Sequence, residues 1–495
     1  MDQIPPEIVL HIFKFLDEPA PSEMRLHDQP GDEMLDVDSE SSCPLKTVSL
    51  VSKSWRTLVL PILFRHVLWR PKVFSLSAFT LNPIPLLRFL EDNRLDHSVI
   101  SFTLLVNFFE TEADAYLVTP KIRTADLEWL WDQIFSVIDP LRFTIIARPT
   151  TLAALLSRML FLVDAWSFDI PYHILSLARA SRGANGKISP DETVRATESA
   201  AWGLRSPETD VLGASQSGAV TTTSSGRLPS TSRRTSRTKK PPACPLFTVR
   251  PWTSVLLNEG SSTRVYRMYE FFLRRPPSML GALLGCEDHP NDAPLIPPSV
   301  VDFNYIAIFP LSSHFETLLQ NLPKVERLFV QLTPKAGNKI LEDEDAMKHI
   351  DPADLWMERN TSYSFLMREM TFMPTPPGNW ATLRVFESGD AADRESWDLA
   401  VQLLESSGIK GWKVEREGVF AKHVEGENDP DWESEVNGHH GGANIPNTRS
   451  FQGALRRIAF NGVAHLPFTS MWFYMRDVDL SEIDPDHHLW YGILE

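Results

Sequence analysis

Apolar residues near the N-terminus recur at helical spacing in two stretches, residues 4–16 and 45–67. The first stripe is Ile8, Val9, Ile12, Phe13 and Leu16, and the second is Val48, Val51, Trp55 and Leu58. Three- and four-residue spacing places side chains on one face of a helix. Pro5 and Pro6 suit a first helical turn, whose N–H groups would be unpaired in any case. We therefore predict a small helical module with a break at Pro61.

A module of this size cannot bury much apolar surface on its own. Part of its apolar face must therefore lie against the rest of this chain or against another protein.

The order of these features resembles the F-box module. That module has a Leu-Pro start, a helix ending near Phe-Leu, the pattern Leu-Val-Ser-basic-x-Trp-basic, and a Leu-Phe pair. The matching stretches are residues 4–8, 12–16, 50–56 (LVSKSWR) and 63–64. Here an acidic insert at 17–44 separates helices that F-box modules usually join closely. The insert is expected to be a solvated loop, or else an electrostatic modulator that alters the adaptor contact.

The resemblance implies that the helices of residues 1–70 dock on a Skp-family adaptor and, through it, on a cullin. The implied adaptor-facing residues are Ile4, Pro5, Ile8, Leu50 and Val51. The residues expected to close the module's own core are Ile12, Leu16, Trp55 and Leu58. Other subunits transfer ubiquitin, so the resemblance implies a substrate receptor that is not an enzyme and needs no cofactor.

Beyond the module, helical and strand patterns alternate through residues 71–182 and resume in 244–495. The clearest unit is at 315–332, where a helix ends at a proline turn and an apolar strand follows. It resembles one unit of a leucine-rich repeat. We expect an α/β fold, with the F-box followed by an irregular leucine-rich-repeat-like helix/strand array. Because no fixed period emerges, an irregular α/β domain is the alternative.

Residues 183–243 interrupt the array. They are rich in Ser, Thr and Arg and are expected to be disordered. The basic cluster at 233–240 fits a nuclear-targeting signal, a phosphorylation region or simply a soluble linker. A polar loop is expected at 425–447. The aromatic residues 471–475, followed by acidic ones, fit either edge packing or an anchor for a partner.

Composition narrows the functional classes. The chain has 495 residues and a formal net charge of -16, which argues against a nucleic-acid binder. The three cysteines, Cys43, Cys244 and Cys286, form no Cys-x-x-Cys pair and suit a reducing compartment. With neither a signal sequence nor a membrane span predicted, we expect a soluble protein of the cytoplasm, the nucleus or both.

Motifs for catalysis are missing from the sequence. It contains no phosphate-binding glycine loop, nucleophile elbow or His-Glu-x-x-His helix. The pairs His439-His440 and His487-His488 are expected to be surface residues, so no metal site is predicted. The leading hypothesis is a ligase receptor for a protein substrate that the sequence does not specify. The alternatives are an interaction scaffold whose F-box-like helices pack on its own array, and a nuclear regulatory protein.

Overall fold

The structure is a computed structural model that describes residues 5–17, 20–30, 44–71, 84–106, 123–168, 170–182, 244–286, 293–335, 337–371, 378–406 and 411–422. Its α-helices are α1 Pro6–Phe15, α2 Pro21–Met24, α3 Pro44–Ser49, α4 Lys53–Leu63, α5 Pro85–Asp92, α6 Thr124–Val137, α7 Pro149–Leu155, α8 Leu280–Leu284, α9 Ser312–Gln320, α10 Glu344–Met347, α11 Pro352–Thr371 and α12 Arg394–Ser406. Its strands are β1 His66–Trp69, β2 Ser101–Val106, β3 Arg142–Ala147, β4 His173–Ala178, β5 Ser254–Ser261, β6 Asp302–Ile308, β7 Arg327–Gln331, β8 Val385–Ser388, β9 Trp412–Arg416 and β10 Val419–Lys422.

One ten-stranded sheet organises the chain after α4, in the order β1 to β8, then β10 and β9. Strands β1 to β3 are parallel, and so are β5 to β8. Strand β4 runs antiparallel to both of its neighbours. The strands follow chain order, as stacked helix–strand units would produce. The reversal at β4 departs from a regular array, and the leucine-rich-repeat character stays a prediction.

Alternate residues of the strands lie on two different sheet faces. The pairing register shifts between Asn258 and Ser261 of β5 and between Val419 and Phe420 of β10. One row across the sheet joins Phe102, Phe143, Leu177, Val255, Phe303, Leu328 and Phe386. This face forms the main core with buried residues of the helices, including Leu130 of α6 and Leu318 of α9. At the usual gain per buried apolar side chain, about 1.5–3 kcal/mol, this face is the principal source of stability.

The opposite face carries a second apolar cluster that includes Leu105, Ile146, Ile174, Leu256 and Ile306. Leu26, from the acidic insert, belongs to the same cluster and is 4% exposed. We call residues 20–30 the strap, because they cross this face of the sheet. The expectation of a solvated loop was wrong for these residues, since a buried leucine and several polar contacts hold them on the sheet.

Apolar patterns also predict strands at 101–106, 142–147, 300–309 and 328–332, a strand-like stretch at 166–170 and a helix at 264–273. The first four are found as β2, β3, β6 and β7, with bounds shifted by a few residues at most. The other two expectations were wrong, and so was the break at Pro61. The strand-like residues 166–170 begin in the 3-10 helix Ala165–Ser167. The helix expected at 264–273 is two 3-10 helices, Thr263–Arg267 and Phe271–Leu273. Helix α4 continues through Pro61 to Leu63 instead of breaking there.

The expectations for residues 183–243, 425–447 and 471–475 lie outside the described residues, as do those for the four paired histidines. The predicted domain boundaries stay predictions. Among the helices that the structure describes, none is long and apolar enough to cross a membrane.

Candidate protein-binding site

The N-terminal helices are set by local sequence signals. Pro5 caps α1, Glu7 lies in its first turn and Lys14 in its last turn, which matches the charges to the helix dipole. Helix α4 begins after Ser52, whose side-chain oxygen accepts a hydrogen bond from the N–H of Trp55 at 3.1 Å. This N-cap satisfies one of the donors that a helix start leaves unpaired.

Helices α1, α3 and α4 share a core that is separate from the two sheet clusters. Its buried members are Val9, Phe13, Leu45, Val59 and Ile62. Leu16, Trp55 and Leu58 are partly buried and pack against it. The rings of Phe13 and Trp55 meet edge to face, with 5.4 Å between centroids. The module is therefore a folded unit with its own interior.

The module exposes large apolar side chains on α1 and in the connection between α3 and α4. Ile8, Ile12 and Phe15 lie along one side of α1 and are 53%, 49% and 78% exposed. Leu50 and Val51, between α3 and α4, are 79% and 61% exposed. We call these five residues the open face. Exposed apolar residues concentrated on one small module mark an interaction surface.

The module joins the sheet through short, hydrogen-bonded connections. The carbonyl of Arg65, directly after α4, accepts from the N–H groups of Ile100 at 2.7 Å and Ser101 at 3.0 Å. The Arg65 guanidinium donates to the Asp17 carboxylate at 2.6 Å. The end of α1 and the end of α4 are thus tied together where the sheet begins.

The predicted site residues fall into four groups. Ile8, Leu50 and Val51 are exposed, as an adaptor contact requires, and Pro5 is exposed at the start of α1. Ile4 lies outside the described residues. Ile12 was expected in the core but lies on the open face, because the next residue, Phe13, points inward. Leu16, Trp55 and Leu58 flank the core as expected.

Sequence reasoning overlooked Phe15 as a member of the open face. It follows Ile8 by seven residues, so the same helical period that selected Ile8 would have placed Phe15 on the same side of α1.

A buried polar network lies on the helix side of the sheet, at the end of β5. One oxygen of Glu259 accepts from Ser278 Oγ and from the N–H groups of Met279 and Leu280. The other accepts from Tyr305 OH at 2.9 Å and lies 2.9 Å from His314 Nε2. Burial alone would raise the pKa of Glu259. The nearby His314 and these hydrogen bonds outweigh that effect and lower the pKa of Glu259 to about 2.

Both carboxylate oxygens of Glu259 have hydrogen-bond partners inside the protein, so we interpret this network as structural. Within the described ranges, no group of three or more His, Cys, Asp or Glu side chains is arranged to hold a metal ion.

The architecture defines a class of protein: a small helical module with an open apolar face, fused to the edge strand of a large α/β sheet. Residues 1–70 match the family model described as F-box-like, so the chain carries an F-box-like domain at its N-terminus. No curated protein and no solved structure matched the chain.

Proposed function

We propose that this chain is the substrate-receptor subunit of a Skp–cullin–F-box ubiquitin ligase. Its open face would bind a Skp-family adaptor, and the sheet domain would bind a protein substrate. The observation that carries the proposal is the exposure of Ile8, Leu50 and Val51 on a module that matches the F-box-like family model.

The physical basis is association of an apolar helix face with a groove of the partner. A few well-buried apolar anchors supply most of the affinity in such complexes. Each open-face side chain transferred from water into an interface gains on the order of 1.5–3 kcal/mol. This gain must exceed the cost of association for a stable adaptor complex to form.

The receptor's contribution to ubiquitin transfer would be proximity. Holding a substrate beside the ligase raises its effective concentration at the carrier enzyme, without chemistry by this chain. The leucine-rich-repeat-like arrangement of the sheet domain belongs to this proposal, and so does a location in the cytoplasm, the nucleus or both.

The alternative is a scaffold whose F-box-like helices pack on its own sheet domain and bind no adaptor. That alternative requires the open face to be covered by the chain. The exposure of Phe15, Leu50 and Val51 favours the receptor proposal instead.

The test is co-purification of the full chain with a co-expressed Skp-family adaptor. Ile8→Asp combined with Val51→Asp should abolish capture, because two carboxylates would lose their hydration in the interface. Val163→Asp is the matched control, since Val163 is 70% exposed in the sheet domain. It should capture as much adaptor as wild type. Undiminished capture by the double variant would refute the proposed interface.

A further inference from the structure

The strap is held on the sheet by a polar clamp. Asn258 of β5 lies in a row of residues that runs across the sheet. The members of this row on β2, β3, β4 and β6 are Leu105, Ile146, Ile174 and Ile306, which are all apolar. Its amide nitrogen donates to two strap carbonyls, Leu26 O at 2.9 Å and Asp28 O at 2.8 Å. Its oxygen accepts from the N–H of Gly260 at 3.0 Å. A fully buried amide in apolar surroundings requires such partners.

The clamp contacts only backbone carbonyls, so it would serve any chain that follows the same helix-and-turn path as residues 21–28. Specificity comes from the apolar cluster around Leu26 and from charges at both ends of the strap. Glu23 lies 3.6 Å from His66 and 4.0 Å from Arg142, and Asp28 lies 3.1 Å from Lys335. The strap residues that make these contacts are an acidic residue, a leucine three residues later, and a second acidic residue two beyond that.

Two further contacts fix the position of the strap on the sheet. Gly260 has a φ of +70°, and a Cβ on it would lie 3.3 Å from Pro30 Cδ, so glycine permits the close approach of the strap. The ring of His27 packs on Phe329, with 4.7 Å between centroids. Burial and Lys335 lower the pKa of His27 to about 4, so this imidazole is neutral at pH 7.

The strap itself is weakly attached. The N–H groups of Glu23, Met24 and Asp28 donate within the strap, to Ala20 and Arg25 carbonyls. Met24 is 65% exposed. Two buried side chains, Leu26 and Pro30, two clamp hydrogen bonds and partly exposed ion pairs must therefore offset the ordering of eleven residues. Such a segment opens locally without unfolding the sheet beneath it.

We propose that the sheet face under the strap is a binding groove for an acidic peptide of a partner protein that adopts the helix-and-turn conformation of the strap, with the pattern acid-x-x-Leu-x-acid, and that the strap is its intramolecular competitor. The proposal deepens the receptor function above, since the peptide would belong to the substrate. Peptide binding to the groove is measured in the absence of the adaptor. A chain that binds no peptide and a chain that binds no adaptor are therefore separate results.

The first experiment measures strap opening in the full chain. In a Leu26→Cys variant, alkylation by N-ethylmaleimide is followed at each cysteine by mass spectrometry. Cys244, buried in the main core, is the internal reference. Residue 26 should react roughly a hundredfold faster than Cys244, because it needs only local opening. Equal rates would mean that the strap leaves only on global unfolding, and this would overturn the proposal.

The second experiment measures groove occupancy with a labelled peptide of residues 20–30, by fluorescence anisotropy. The receiving chain carries Glu23→Ser, Leu26→Ser and Asp28→Ser, which empties the groove while keeping the strap's length. This chain should bind the peptide at least tenfold more tightly than wild type, where the strap competes at high effective concentration.

Specificity is tested in the same strap-substituted chain. Adding Asn258→Ala should abolish binding, and a peptide with Ser in place of its leucine should not bind. Asn304→Ala is the control, because Asn304 faces the same side and donates to Asp302 and Ser254 instead. A strap-substituted chain that unfolds, or that folds but binds no peptide, would overturn the proposal.

Discussion

The side-chain amide of Asn258 donates to the backbone carbonyl of Leu26 at 2.9 Å, across 232 residues of sequence. This bond ties the F-box-like module's own insert to the middle of the sheet. The insert is therefore a second connection between the module and the sheet, in addition to the one at Arg65.

Asn258→Ala should loosen the strap. The substitution removes two hydrogen bonds, which together contribute about 1–3 kcal/mol, or roughly a tenfold to hundredfold change in the opening equilibrium. The measurement is the initial rate of tryptic cleavage after Arg25, which is exposed in the strap. Asn304→Ala should leave this rate near that of wild type. Identical rates for the two variants would contradict the role of the clamp.

Phe13 and Phe15 should respond very differently to truncation. Phe13 is buried against Trp55, whereas Phe15 is exposed. Phe13→Ala should lower the free energy of opening of the module by about 3–5 kcal/mol, and Phe15→Ala by less than about 0.5 kcal/mol. Hydrogen exchange of peptides covering α1 and α4 measures both. A large loss at Phe15 would mean that the open face is part of the folded interior.

Acid should destabilise the sheet through His173 and Glu259. His173 is fully buried, and burial lowers its pKa to about 4. The unfolded chain therefore binds a proton that the folded chain does not. Stability is complete above pH 6.5 and is lost as the pH falls toward 4, by on the order of 3 kcal/mol. Glu259, with a pKa of about 2, adds a further loss between pH 4.5 and 2.

Urea unfolding at pH 7 and pH 4 tests this dependence. His173→Leu should reduce the change in midpoint between the two pH values and leave the part that comes from His27, whose pKa is also lowered to about 4. His97→Gln is the control, because the His97 side chain is 91% exposed. If His173→Leu kept the full wild-type pH dependence, the assignment to His173 would be wrong.

Periodicity predicted much of the fold because the apolar strands and amphipathic helices carry strong local signals. Strands β2, β3 and β6 are apolar runs that the sheet buries. Strand β5 was overlooked because its second half, with Asn258, Glu259 and Gly260, reads as polar. These polar residues can be buried because the strap and the network around Glu259 supply their hydrogen-bond partners. Both sets of partners are distant in sequence, so no local sequence pattern indicates them.

The site on the module was predicted only in part, because a tertiary contact also decides which residues of α1 are exposed. The helical period identified the apolar residues of α1 but did not decide which side faces inward, so Ile12 was assigned to the core in place of Val9 and Phe13. The inward side is fixed by α4, through Val59 and Ile62, and that is a tertiary contact. A tertiary contact also fixes the strap. Its acidic composition predicts a solvated loop and gives no sign that the sheet buries Leu26.

The central claim is that the open face binds a Skp-family adaptor. The most direct measurement is size-exclusion chromatography with light scattering of the purified full chain mixed with purified adaptor. We expect a single complex with the mass of one copy of each protein, and its loss for Ile8→Asp with Val51→Asp. Separate elution of the wild-type chain and the adaptor at micromolar concentration would contradict it.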